Sequence, residues 1–305
     1  MKVLLTGGTG FIGRELIKQF ASDQIVLLTR SPEKARKIIH HADLGNITYL
    51  SDLNTLKDLN DIDVVVNLAG ESIADKRWTE VQKKRICDSR WKTTEKLVEL
   101  FHASTEPPST FISGSAVGYY GDQQSHPFDE SLHVHHDNFA HYVCAKWEEI
   151  AKRASNENTR VCILRTGIVL GPNGGALKKM LPPYRMGLGG PIGKGKQYMP
   201  WIHMLDMVKA IVFLVNTPHA HGEFNLVAPH PVTNLEFSRT LSKALHRPHF
   251  LFTPRWVLQL AMGESASLLF DSIRAKPKKL TELGFKFSYS RLEPAMKNLF
   301  QDHNS

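Results

Sequence analysis

A short apolar run, Lys2–Leu5, leads directly into Thr6-Gly7-Gly8-Thr9-Gly10-Phe11-Ile12-Gly13, and a helical pattern follows from Phe11 to Phe20. No other stretch of the chain constrains its fold so tightly. A strand that turns at once into a helix needs backbone angles that only glycine adopts freely. The helix start then presents unpaired N–H groups and the positive end of its dipole to whatever lies across the turn. An ordinary strand–turn–helix would account for part of this pattern. The strand, the glycine spacing, the helix and the very early position together describe a receptor for a diphosphate.

Apolar strands and helical stretches continue to alternate through the first half. Gln24–Thr29, Ile47–Leu50, Asp63–Leu68, Thr110–Ser113 and Arg160–Leu164 read as strands, with helices over Trp78–Phe101 and Phe139–Ala154. Such alternation predicts an α/β fold, a Rossmann-type doubly wound parallel sheet covered on both faces. The texture changes after Gly167. Glycines and prolines from Pro172 to Gly195 predict loops, and a helix resumes over His203–Val215. Residues 1–166 are therefore read as a dinucleotide-binding domain, and 201–228 are expected to return to it. Residues 167–305 make a smaller C-terminal substrate lobe interleaved with the first.

Composition narrows the classes. No apolar run reaches the roughly 18 residues of a membrane span, and the N-terminus reads as strand and turn rather than signal peptide. Three widely spaced cysteines, Cys87, Cys144 and Cys162, fit a reducing cytoplasm better than a disulfide framework. The net charge of +8 is spread along the chain without a nucleic-acid-binding module. It describes either a solvated basic surface or attraction for phosphorylated ligands. His133, His135 and His136 lack a carboxylate or cysteine at ligand spacing, so no metal is expected.

The end of the second strand bears on the choice of dinucleotide. NAD enzymes of this architecture place a carboxylate there for the ribose hydroxyls. This chain has Thr29-Arg30-Ser31 with Lys34 beyond. A guanidinium can hold a 2′-phosphate through paired hydrogen bonds, so Arg30 and Ser31 predict NADP(H). Asp52 and Leu53 after the third strand are expected near the adenine. Asn67-Leu68-Ala69-Gly70 after the fourth is expected along the nicotinamide ribose.

The Gly7, Gly10, Gly13 spacing resembles that of extended short-chain dehydrogenases/reductases. Longer segments resemble one atypical branch of them, the nucleoside-diphosphate-sugar epimerase-like family, which includes the human short-chain dehydrogenase/reductase family 39U member. They are Asn67–Glu71, Arg77-Trp78-Thr79, Ser89-Arg90, Ser113–Gly121, Cys144 with Trp147-Glu148, Arg165–Leu170, Trp201-Ile202-His203 with Asp206, Asn225, Ala228-Pro229, Pro231–Asn234, and a tail from Gly263-Glu264 through Pro277 to Gly284-Phe285. The resemblance implies an extended Rossmann fold and NADP(H) binding by Gly7, Thr9, Gly10, Phe11, Ile12 and Gly13, with Arg165 on the same side. It implies no particular substrate.

Superfamily chemistry uses a Tyr acid/base, a Lys four residues on, and a Ser or Thr on the reacting oxygen. Tyr142 and Lys146 have that spacing, and Ser115 ends a predicted strand. The family pattern on this helix centres instead on Cys144, Trp147 and Glu148. On the substrate side, Arg90 stands where many relatives carry Asn, and would hold either an anionic substrate or a structural carboxylate. Tyr119, Tyr120 and His203 are candidate pocket residues. The expectation is an NADP(H)-dependent oxidoreductase or epimerase acting on a small hydroxyl- or carbonyl-bearing molecule, a sugar nucleotide among the options. The alternative is a non-catalytic NADP(H)-responsive regulator. Neither metal, nucleic acid nor membrane is expected as a partner; a homodimer is left open.

Overall fold

The computed structural model describes residues 1–39, 46–172 and 174–300. The first half builds β1 (Lys2–Thr6), α1 (Phe11–Gln19), β2 (Gln24–Leu28), α2 (Pro32–Ile38), β3 (Ile47–Leu50), β4 (Val64–Asn67), α3 (Glu80–Ala103), β5 (Thr110–Ala116) and α4 (Phe139–Lys152). The strands Arg160–Thr166 and Gly222–Leu226 complete a seven-stranded parallel sheet. Its order is Gly222–Leu226, Arg160–Thr166, β5, β4, β1, β2, β3.

The strands are apolar on both faces because both faces are covered. Val3 and Leu5 of β1 pack with Val64 and Val66 of β4 against Leu16 and Ile17 of α1 and the helix Met204–Val215. The alternate residues, Leu4 and Val65, meet Leu97 and Phe101 of α3 and Ile150 of α4. This is the period of two expected of a strand whose side chains point alternately up and down. The fold is thus a Rossmann-type α/β sheet. The strand order reverses between β1 and β4, so the connections leaving their paired carboxyl ends diverge to opposite sides and leave a crevice there, the usual ligand position of such sheets.

A third core lies beyond the sheet. Leu177 and Tyr184 pack with Trp201, Phe237, Leu241, Met296 and Leu299. Asp206 is fully buried and accepts from Ser288 N (2.7 Å) and Tyr289 N (2.8 Å), tying the C-terminal segment to the helix Met204–Val215. The expected loop between Pro172 and Gly195 holds a helix, Gly175–Arg185, with Pro182 and Pro183 near its end. Burial of Leu177 and Tyr184 outweighs the prolines. The last carbonyls are re-bonded by Met186 N to Pro182, Leu188 N to Pro183 and Gly187 N to Tyr184. Among the described residues, no helix is long and apolar enough to cross a membrane.

Candidate functional site

The crevice at the ends of β1 and β4 is a cleft of about 1000 Å³, with Thr6, Gly7, Thr9 and Gly10 at its base. Gly7 has φ 71°, and a Cβ there would lie 2.5 Å from Leu68 O. A Cβ on Gly13 would lie 2.3 Å from Gly7 O. The turn is therefore drawn tight against β4 by two positions that tolerate no side chain. Gly10 caps α1 without a side-chain hydrogen bond, and no acidic residue stands in the helix's first turn. The positive end of the α1 dipole is left for an anion. Phe11 turns away from the cleft onto Gly171, Gly174 and Gly175, where a Cβ would approach its ring to 3.0, 2.3 and 2.6 Å. Ile12 packs against the core.

Beyond the turn, the cleft runs past Leu28, Thr29, Arg30, Ser31 and Lys34 on one side and Asp52, Leu53 and Asn54 on the next. Arg30 is exposed, and neither Arg30 nor Lys34 is in an ion pair among the described residues. Asp52 Oδ1 accepts from Asn54 N (2.9 Å) and Asn54 Nδ2 (3.0 Å), so that carboxylate oxygen is occupied by its own turn. Leu68, Ala69, Gly70 and Glu71 form the opposite lip. Asn67 is buried and holds the switch point together: Thr6 Oγ1 donates to Asn67 Oδ1 (2.6 Å), and Asn67 Nδ2 donates to Thr94 Oγ1 (2.9 Å). Its side chain thus faces the protein and not the cleft.

The sequence reading missed the far wall, formed by Ser89, Lys92, Thr93 and Lys96 of α3. Their spacing, one polar stripe at helical period, was the available signal.

Along the same carboxyl edge, at the end of the neighbouring strand β5, α4 presents Ala140, Cys144 and Glu148 inward. A Cβ on Gly118 would lie 3.3 Å from Ala140 Cβ and 4.0 Å from Cys144 Sγ. Ser115 Oγ donates to Glu148 Oε1 at 2.7 Å. Burial pushes the Cys144 thiol up to about 11, so it stays protonated at neutral pH. Tyr142 and Lys146 are two residues out of phase with this face, about 200° around the helix. Tyr142 is 56% exposed, with its ring edge-on to Trp91, and Lys146 pairs with Glu149 at 3.1 Å. The expected grouping of Ser115, Tyr142 and Lys146 is therefore not formed. The i, i+4 pair exists on the outer face of α4.

Four further expectations, Arg165, Tyr120, Tyr119 and His203, fall away from the cleft. Arg165 is 1% exposed, and its guanidinium is spent on the protein: Nε and Nη2 donate to Glu148 (2.9 and 2.8 Å) and Nη1 to Tyr120 Oη (2.9 Å). Burial pulls its pKa down, but the Glu148 carboxylate more than reverses this, and the net shift is upward. Tyr120 is fully buried and donates to Asn225 Oδ1; burial pushes its hydroxyl up to about 12. The Tyr119 ring lies over the Arg165 guanidinium at 3.7 Å. His203 is buried, caps the helix Met204–Val215 by accepting from Leu205 N, and stacks on Tyr289. Arg90 differs from these. Its guanidinium lies under Gly70, whose Cβ would be 3.0 Å from Cζ, with Trp147 at 5.3 Å, and Nη1 donates to Ile86 O and Ser89 Oγ. Burial lowers its pKa. Among the described residues no cluster of three or more His, Cys, Asp or Glu could hold a metal.

Residues 3–227 match the NAD dependent epimerase/dehydratase family, and residues 253–299 match a domain of unknown function, DUF1731. An epimerase family protein of Staphylococcus haemolyticus is 38% identical over 300 residues, covering 97% of this chain and 98% of that protein. The crystal structure of human epimerase family protein SDR39U1 (isoform 2) with NADPH superposes with a TM-score of 0.89 at 33% identity, over 99% of this chain and 100% of the other. The UDP-N-acetylglucosamine 4-epimerase of Bacillus cereus gives 0.74 at 18% identity over 99% of this chain and 96% of the other, a likeness of fold alone.

Proposed function

The chain belongs to the NAD dependent epimerase/dehydratase family, and on that premise we propose that it is an NADP(H)-dependent oxidoreductase or epimerase acting on a small hydroxyl- or carbonyl-bearing substrate. The observation that carries the cofactor reading is the continuity of one cleft. It runs from the uncapped start of α1 to Arg30, Ser31 and Lys34, with no carboxylate at the end of β2. Gly10 N–H closes the turn onto Gly7 O (2.9 Å), so the diphosphate fits the backbone N–H groups of the first helical residues, Phe11–Gly13, and the 2′-phosphate fits Arg30, Ser31 and Lys34. Leu53 offers an apolar contact to the adenine, and Leu68–Gly70 lie along the nicotinamide ribose. When bound, the nicotinamide donates or accepts hydride. A similar protein, human SDR39U1, was solved with NADPH, which supports the same choice here.

A second reading is favoured by α4. The residues of α4 at Ser115 are Cys144, a thiol that burial keeps protonated, and Glu148, whose carboxylate is taken up by two hydrogen bonds from Arg165 and one from Ser115. A cofactor-responsive binding or regulatory protein needs no proton relay. A metabolite screen following NADPH absorbance separates the two. Turnover with any hydroxyl or carbonyl compound establishes the enzyme. A thermal shift with NADPH and no turnover across the screen favours the regulator.

A further inference from the structure

The helix Arg255–Met262 has no buried residue although it carries Trp256, Val257, Leu258, Leu260 and Met262. Helices of soluble domains normally bury their apolar stripe. Its neighbours share the anomaly. Phe250 and Phe252 are 76% and 64% exposed, and Met186 and Leu188 are 67% and 55% exposed, beside Trp256 and Leu260 of the helix itself at 68% and 72%. The two segments run side by side. Gly193 N donates to Thr253 O and Thr253 N to Pro191 O, both at 2.8 Å, and a Cβ on Gly187 would touch Pro248 at 3.7 Å. An apolar surface of this kind marks a site of interaction.

Its charge identifies the partner. No Asp or Glu occurs between Glu157 and Asp206, or between Glu236 and Glu264. The same segments carry the exposed cations Arg185, Lys194, Arg247 and Arg255. Lys179 and Lys243 are already paired with Asp75 and Glu293, so their charge is met within the chain. A second copy of this chain is a poor occupant, because a two-fold contact would set one acid-free surface against another. Exposed tryptophan, phenylalanine and leucine tips among unpaired arginines match the interfacial layer of a membrane with anionic headgroups.

We infer that the surface formed by 185–194 and 247–260 docks the protein reversibly on an anionic lipid bilayer, with Phe250, Phe252, Trp256 and Leu260 entering the headgroup layer. The helix does not span; it lies on the surface. This inference is independent of the cofactor reading.

Co-sedimentation of the full chain with vesicles tests it. Phosphatidylcholine vesicles containing a minority of phosphatidylglycerol should carry the protein down, and phosphatidylcholine alone should not. Binding should weaken with salt as the headgroup charge is screened. Trp256→Ser with Leu260→Ser should reduce binding about tenfold or more, since two interfacial anchors are removed. Arg185→Glu with Arg247→Glu should reduce it similarly. None of these side chains is buried, so melting temperature and NADPH response should stay at wild-type values and show that the variants fold. Three results would overturn the inference. They are no binding to the anionic vesicles at low salt, undiminished binding by the Trp256→Ser, Leu260→Ser variant, or a concentration-dependent dimer that this variant abolishes. The last would reassign the surface to a second copy.

Discussion

Replacing Glu148 by Gln probes the buried network that stands where proton-transfer groups were expected. Glu148 and Arg165 are 3% and 1% exposed, and the carboxylate accepts three hydrogen bonds: two from Arg165 and one from Ser115. Glutamine keeps the shape but removes the charge, leaving Arg165 buried with the Tyr120 hydroxyl, the Tyr119 ring and a neutral amide but no anion hydrogen-bonded to it. Breaking a buried pair by neutralising one partner costs about 3–5 kcal/mol. At about 2.1 cal/mol/K per residue over 305 residues, that loss lowers the melting temperature by roughly 5–8 °C. The double variant Glu148→Gln, Arg165→Met should recover part of it, because no uncompensated charge remains. Circular dichroism melts of the single and double variants supply the numbers. A Glu148→Gln melt within about a degree of wild type, or a double variant as unstable as the two single losses combined, would refute the assignment of this pair as a closed structural unit.

Other consequences are simpler. Gly7→Ala should lose about 1–2 kcal/mol from its positive φ alone. It should also abolish the NADPH-induced thermal shift, since its Cβ would meet Leu68 O at 2.5 Å. Tyr142→Phe and Lys146→Ala should leave stability and NADPH affinity unchanged and should not affect any turnover; a large loss of turnover would restore them to the site. Burial, with Asp122 adding, pushes the Asp271 carboxyl up to about 6. The folded state then holds a proton that the unfolded chain releases, so stability falls as pH rises through roughly 4 to 6. Asp271→Asn should therefore raise the melting temperature near neutral pH, and the gain should vanish at about pH 4; a pH-independent effect would contradict this.

The sheet was legible because its signals are local and repeated. Each of β1 to β5 is a short apolar run beside a turn or helix signal, and the Gly7–Gly13 turn is written in consecutive residues. Arg30 and Ser31 were legible for the same reason, lying at the end of a recognisable strand. The α4 site was not. The i, i+4 spacing of Tyr142 and Lys146 says that they share a face but not which face, and only packing against Gly118 and Ser115 selects Ala140, Cys144 and Glu148. Arg165 and Tyr120 looked like ligand groups because the sequence does not reveal that Glu148, Asn225 and Tyr119 enclose them. The helix Gly175–Arg185 was hidden by Pro182 and Pro183, whose local preference yields to burial of Leu177 and Tyr184.

Titrating NADPH and NADH into the wild-type chain and into Arg30→Ala, by calorimetry, addresses the cofactor assignment at its root. The 2′-phosphate is the only difference between the two ligands, and a charge-assisted hydrogen bond contributes about 1.5–3 kcal/mol. Wild type should prefer NADPH by roughly tenfold or more, and Arg30→Ala should shrink that preference while leaving NADH affinity nearly unchanged. Equal affinity for both dinucleotides in the wild type, or binding of neither, would contradict the account.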